Sequence, residues 1–310
     1  MYEIVKGRVL MKKHIKYIIA VIIVILIIAL LIILNIKRNT QKEQESNITK
    51  IVTSFYPMYI IAENLTDGAS NVELENIADV NVGCLHDYTL MTEDIKKVEN
   101  ADIFISNGLG MESFINKLIE ANSNMKIIDS SKSITNVIKS EEETNPHIWT
   151  SIDNYILQVQ TISDSLKEYN AENSEVYEKN AEKYVEELTE LKNKYKEELA
   201  FLEGRKAVCL NEAFEYMGEE LGLELLTVQT DHEESTMSAE MLKNIINTVK
   251  EENIEIIIID KNDNEANAET IANETGAKIY KLNSGLTGNL EKDAYIKQME
   301  ENIEILKSAK

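Results

Sequence analysis

Cysteine, proline and histidine are all scarce in this chain, and each scarcity excludes something. Two cysteines in 310 residues cannot make a disulfide-stapled scaffold. Cys84 and Cys209 both fall at apolar strand ends and read as small buried hydrophobes. The two prolines, Pro57 and Pro146, each stand where a predicted strand or loop meets a candidate site. Basic residues are outnumbered, 32 against 54 acids, for a formal net charge of −22. Residues 1–38 hold seven Lys and Arg and one acid, Glu3, so the remainder carries −28. Such a field repels nucleic acid, which is excluded as a partner, and it attracts cations. Most of the acids lie on predicted helix faces, where they serve solubility as well. Catalytic signatures are also lacking. The HEES at His232 is not HExxH, because Thr236 occupies the second histidine position. There is no GxSxG, P-loop or GxGxxG, and GLGMES (Gly108–Ser113) is a weak glycine pair. Nothing nominates a nucleophile, and the chain is expected not to be an enzyme.

The most conspicuous feature present is apolar. From Tyr17 to Leu34 no residue is charged or carries an amide, and Asn35 and Ile36 extend the run. Twenty helical residues span a ~30 Å hydrocarbon core, so residues 17–36 are expected to form a transmembrane anchor. A cleaved signal would show small residues after the run, but Lys37 and Arg38 follow Ile36 instead. A lipoprotein would need a Cys there, and none is present. Lys6, Arg8, Lys12, Lys13 and Lys16 precede the span against Lys37, Arg38 and Lys42 after it. This asymmetry keeps residues 1–16 in the cytoplasm. The chain then reads as a single-pass protein of the cell membrane with its bulk on the extracytoplasmic side. Met11, followed by Lys12 and Lys13, offers an alternative start.

Residues 37–49 are polar and lack apolar periodicity, as a flexible spacer would. Beyond them, β-branched runs alternate with amphipathic stretches. Strands are expected at Ile51–Phe55, Val72–Ala78, Ala101–Ser106 and the MKIID ending at Asp129. The alternation resumes at Ala207–Leu210, Leu223–Val228, Ile254–Asp260 and Ala277–Leu282. Helices are expected between them, among them Met58–Leu65, Thr92–Glu99 capped by Thr92, and Met111–Ala121. This order predicts parallel sheets covered by helices. Between the two sets, Asn154–Leu202 has no strand signal, Gly or Pro. Ile156, Val159, Ile162 and Leu166 form one apolar stripe; Tyr177, Tyr184, Leu188, Leu191 and Tyr195 form another. The patch Asn170–Asn173 breaks the segment into two helices, the second ~45 Å long and able to run the height of two lobes. The expected architecture is α/β: an N-terminal lobe (50–169), a long rigid linking helix (170–204) and a C-terminal lobe (205–310), preceded by the anchor.

Three histidines, His86, His147 and His232, lie beyond the anchor, all in predicted loops after strands. Ligands of parallel α/β sheets gather at the carboxyl ends of strands. His86 is followed by Asp87, and His147 follows Pro146 within NPHIW. Asp231, Glu233 and Glu234 surround His232. Neutral imidazoles with carboxylates suit zinc or another first-row metal; three isolated surface histidines are the other reading of the residues alone.

Several segments together resemble the metal-binding substrate-binding proteins of bacterial ABC transporters, the zinc and manganese receptors. They are TSFYPMY (Thr53–Tyr59), LHDYTL (Leu85–Leu90), ADIFISNGLGMESF (Ala101–Phe114), NPHIW (Asn145–Trp149), NEAFEYM (Asn211–Met217) and ETGAKIYKLN (Glu274–Asn283). The resemblance runs from about Ile51 to Leu306. It implies two lobes joined by one long helix, a divalent metal in the cleft, and partnership with an ABC permease and its cytoplasmic ATPase. It also implies that His86 and His147 are metal ligands. The third family position, usually His or Glu, holds Asn211, and a fourth, often Asp, holds Asn283. An amide offers only a neutral oxygen, a poor zinc ligand. His232 is expected to complete the set; Glu212, Cys84 and Cys209 are the other candidates. The metal set is therefore His86, His147, His232 and Asn211, for Zn2+, with Mn2+ or Fe2+ if oxygens dominate, in a monomeric receptor. An adhesion or scaffolding protein that keeps the fold with weak or no metal binding is the alternative.

Overall fold

The computed structural model describes residues 30–35, 37, 48–79, 85, 88–139, 144–228 and 237–310. The chain divides into two compact units, Met1–Ile48 and Thr49–Lys310. In the first, residues 30–35 and 37 are helical, and the leucines and isoleucines among 30–34 are exposed. Among the described residues no helix is long and apolar enough to cross a membrane. The anchor expected over 17–36 lies mostly outside them.

The second unit holds two parallel sheets. The first joins β1 (Thr49–Thr53), β2 (Val72–Asn76), β3 (Ile103–Ser106) and β4 (Lys126–Asp129) in the order β2-β1-β3-β4. The second repeats the order as β6-β5-β7-β8, from β5 (Lys206–Cys209), β6 (Glu224–Thr227), β7 (Ile256–Asp260) and β8 (Lys278–Leu282). The central strands β3 and β7 are apolar up to their last residue because both their faces are covered: all four residues of β3 and all five of β7 are buried. The edge strand β2, VELEN, instead alternates, with Glu73 and Glu75 exposed. In each sheet the first strand of its half (β1 or β5) is flanked by the second and the third. The strand order therefore reverses between β1 and β3 and between β5 and β7, and a crevice opens at their carboxyl ends.

The covering helices of the first half are α1 (Tyr56–Thr66), α2 (Thr92–Glu99) and α3 (Ile115–Ala121). The expected cap of α2 needs correction. Asp94, not Thr92, closes that end, its carboxylate accepting the Met91 backbone N–H at 2.8 Å and the Tyr88 hydroxyl at 2.8 Å. Two long helices follow, α4 (Ile152–Tyr169) and α5 (Ser174–Leu199). Asn170 closes the first and Asn173 precedes the second; the Asn173 side chain accepts the Ser70 N–H and donates to the Ser70 carbonyl, both at 2.9 Å, which holds the bend against the β1–β2 side of the sheet. The 26 residues of α5 measure about 39 Å. Its buried stripe, Tyr177, Ala181, Tyr184, Leu188, Leu191, Tyr195 and Leu199, recurs every three or four residues. The stripe packs on α1 and α4 at one end and on α9 (Ala294–Lys307) toward the other. The second half is completed by α6 (Glu215–Glu220), α7 (Ala239–Glu251) and α8 (Ala266–Thr275).

One hydrophobic cluster runs without interruption from Ile51 in the first sheet to Ile256 in the second. At its centre Tyr155 of α4 stacks on Tyr295 of α9, with centroids 3.6 Å apart and planes 7° off parallel. Trp149, fully buried, donates its indole N–H to the Ser284 carbonyl at 2.8 Å, and Tyr295 returns a hydroxyl to the Trp149 carbonyl at 2.9 Å. Tyr56 donates to the Asn289 carbonyl at 2.6 Å. Glu220 of the second half accepts the N–H of Ile152, the first residue of α4, at 2.8 Å. The lobes are therefore joined by packed aromatics and buried hydrogen bonds as well as by the linking helix.

The loop after β3 turns through three residues of positive φ, Gly108, Leu109 and Gly110. At Gly108 an added Cβ would meet Asp129 and Ser131 side-chain atoms at 2.0 and 2.5 Å, so this close approach requires glycine. The turn is held by Glu112, whose carboxylate accepts the N–H of Asn107 at 2.7 Å and of Gly108 at 3.1 Å. Burial nevertheless pushes this carboxyl up to about 7 from its ordinary 4.5, outweighing those donors. Between these values the folded chain holds the proton and the unfolded chain has released it. Stability contributed by the protonated form thus falls as pH rises from 4.5 through 7, by about 3 kcal/mol at full extent. The difference in urea midpoint between Glu112→Gln and the parent should therefore move in favour of the variant with rising pH. A constant difference across that window contradicts the assignment.

Candidate metal site

The candidate site lies where the segment Asn145–His147 meets the turn that follows β5. His147 arrives on the segment that crosses from the first half toward the second and opens the short turn Ile148–Thr150. It is buried, 3% exposed, with its ring 5.2 Å from that of Trp149. Its Nδ1 lies 2.9 Å from the Asn145 side-chain oxygen and 3.8 Å from Glu212 Oε1. An amide oxygen only accepts, so Nδ1 is the ring nitrogen that donates in this contact. His86 and His232 lie outside the described residues, as does Cys84.

From the opposite lobe, Asn211 lies two residues beyond the end of β5 and caps the following short turn. Its Oδ1 accepts the Ala213 N–H at 3.0 Å, and its Nδ2 donates to Asp263 Oδ2 at 2.9 Å. Asp263, three residues beyond the end of β7, has its carboxyl pushed up by burial. The same oxygen also takes the Asp260 N–H at 3.3 Å. Asp260 is used twice more, accepting Asn262 N–H at 2.8 Å and Ser284 N–H at 3.0 Å. Asn283, 3% exposed, accepts the Gly285 N–H at 3.0 Å. Cys209 is fully buried, its thiol pushed up to about 12 by burial, and it donates to the Asn211 carbonyl at 3.0 Å. A thiol held protonated in this way is a structural group rather than a thiolate ligand.

The structure thus brings His147, Asn145 and Glu212 together and sets Asn211 next to them in the chain, anchored to Asp263. Among the described residues no group of three or more His, Cys, Asp and Glu is disposed to hold a metal. Beside Glu212 a cavity of about 930 Å³ opens between residues 138, 139 and 144–146 and the face made by β6 and α7. Among the described residues Glu212, Glu215 and Glu240 line it against one cation, Lys139. Asp263 and Asn145 are the polar residues that motif reading passed over. The placement of Asp263 three residues after the IIIID run was the available signal, because strand carboxyl ends are where such sites form.

A family model described as zinc-uptake complex component A, periplasmic, matches residues 51–309. The chain belongs to that family. The manganese-binding lipoprotein MntA of Halalkalibacterium halodurans is 27% identical over 275 residues, covering 86% of this chain and 90% of its own. The high-affinity zinc uptake system protein ZnuA of Bacillus subtilis is 27% identical, covering 84% and 86%. The zinc-binding lipoprotein AdcA of Streptococcus pneumoniae is 29% identical over 87% of this chain, which spans 57% of that longer protein. A crystal structure of ZnuA, 27% identical, superposes with a TM-score of 0.71 over 84% of this chain and 98% of that one. The manganese complex of FpvC from Pseudomonas aeruginosa, 24% identical with a TM-score of 0.76, shares the fold. This family comprises substrate-binding components of metal ABC importers, so the chain is a transport receptor and not an enzyme.

The Asn211–Asp263 pair has a direct consequence for substitution. Asn211→Asp would restore a carboxylate at that position, but 2.9 Å from a buried one. The urea midpoint of the metal-free protein should fall by an amount equivalent to about 1–3 kcal/mol. An unchanged midpoint would show that Asp263 does not depend on the amide.

Proposed function

We propose that the chain captures a divalent transition cation, zinc before manganese or ferrous iron, outside the membrane. It would then deliver the ion to an ABC permease driven by a cytoplasmic ATPase. The observation that carries this reading is His147, held buried at the meeting of two lobes with one ring nitrogen committed to Asn145, in a chain of the zinc-uptake family. His86 and His147 are the nitrogen core of the site, His232 enters from its acidic loop, and Asn211 contributes its side-chain oxygen. Imidazole donors favour zinc. A site completed by amide and carboxylate oxygens would shift the preference toward manganese or ferrous iron. The carboxylates of the adjoining cavity concentrate cations near the site.

The receptor works as a monomer, tethered by residues 17–36 with residues 1–16 in the cytoplasm and 37–49 as spacer. Residues 50–169 and 205–310 are its lobes, and 170–204 link them. An adhesion or scaffolding role is not favoured, since the relatives cited above are named for zinc or manganese.

Purified residues 39–310, titrated with zinc, manganese and ferrous iron under reducing conditions, test the proposal. The expected result is zinc binding that His86→Ala and His147→Ala each weaken by more than about 100-fold, beyond what loss of a supporting contact costs. His232→Ala should also weaken it strongly, and Asn211→His should tighten it. A parent domain that binds none of the three metals better than His86→Ala does would overturn the reading.

A further inference from the structure

Asn145 makes more contacts than a turn residue needs, and they cross between the lobes. It is buried, and its backbone carbonyl accepts the Tyr216 hydroxyl at 2.7 Å. Its side-chain nitrogen donates to the Glu212 carbonyl at 2.9 Å and to Glu215 Oε2 at 2.7 Å. Its side-chain oxygen accepts the His147 backbone N–H at 2.9 Å and faces His147 Nδ1 at 2.9 Å. Both partners of the nitrogen are acceptors, and one partner of the oxygen is a backbone donor. The amide therefore has a single orientation consistent with all its contacts. That orientation in turn dictates the imidazole: with an oxygen beside it, Nδ1 must carry the proton. Glu212 Oε1, 3.8 Å from the same nitrogen, biases the ring the same way. Glu212, Glu215 and Tyr216 all belong to the second lobe, at the start of α6, whereas Asn145 and His147 come from the crossing segment of the first.

We propose that Asn145 is a positioning residue for the metal site. Held from the opposite lobe by Glu215 and the Glu212 carbonyl, it locks His147 as the Nδ1–H tautomer before any ion arrives. The proposal rests on the reading of His147 as a ligand. Its physical content is pre-organisation: a ring already fixed in one tautomer and one rotation loses little freedom on binding. It also makes ligand geometry conditional on the lobes staying packed, because the restraint on Asn145 comes from across the cleft.

The test reads the ring directly in metal-free protein, by long-range 1H–15N NMR of the His147 imidazole, alongside zinc affinity from chelator competition. The parent should show the Nδ1–H tautomer alone. Asn145→Ala should populate both tautomers and weaken zinc by about ten- to a hundredfold. Glu215→Ala should move both readouts the same way by less, and it serves as the probe if Asn145→Ala does not fold. An Nε2–H ring in the parent overturns the proposal. So does a loss of zinc affinity in either variant with the ring unchanged, which would assign the effect to lobe packing alone. Because the ring is observed without metal, a parent that binds no zinc defeats the transport reading while the tautomer result still stands or falls by itself.

Discussion

The contact between α4 and α9 governs this molecule. Tyr155 and Tyr295 are stacked face to face at 3.6 Å inside a core that continues into both sheets. Trp149 sits beside them, hydrogen-bonded to Ser284, its ring edge-on to Phe55 at 5.0 Å. Moving the lobes apart as rigid bodies would expose these rings and leave the Trp149 indole N–H and the Tyr295 hydroxyl without their partners. Aromatic contacts are worth about 0.5–1.5 kcal/mol each beyond the area they bury, and unmade buried hydrogen bonds cost about 1–3 kcal/mol apiece. The long α5, packed along the same core, adds a strut with no glycine or proline at which it could bend.

The binding crevice inherits its shape from that junction. His147 is two residues from Trp149, so the same packing that joins the lobes fixes the backbone of a candidate ligand. The first lobe supplies the imidazole and the amide beside it, and the second supplies the groups that hold that amide. On the second lobe the polar side chains of three residues are already committed: Asn211 to Asp263 and the Ala213 N–H, Asp260 to the N–H groups of Asn262 and Ser284, and Asn283 to the Gly285 N–H. That network gives the lobe a stiff rim. It also accounts physically for an amide at position 211: a carboxylate there would face the buried Asp263 at hydrogen-bonding distance.

Much of this architecture could be read from periodicity. The unbroken apolar runs of β3 and β7 signalled central parallel strands, and the stripe of Tyr177, Tyr184, Leu188, Leu191 and Tyr195 marked α5 and its buried face. The asparagines at 170–173 located the bend. What depends on partners far along the chain was not legible. Trp149 meets Ser284 135 residues away, and Asn211 meets Asp263 52 residues away. No spacing rule connects either pair. Locally, Thr92 had the form of a helix cap, yet the carboxylate of Asp94 reaches the preceding N–H instead. The site was legible by residue type more than by geometry: NPHIW nominated His147, whereas the role of the Asn two residues before it emerges only when Glu212 and Glu215 fold over from the second lobe.

The central claim is that the lobes are fixed to one another before the ion binds. Spin labels at Glu120→Cys on α3 and Glu251→Cys on α7, both exposed positions, would report the distance between lobes by electron–electron double resonance in a background lacking Cys84. The account predicts a single narrow distance distribution in metal-free protein that zinc shifts by no more than about 2 Å, the scale of small interface adjustments. A broad metal-free distribution, or one that moves by many ångströms on adding zinc, would contradict it.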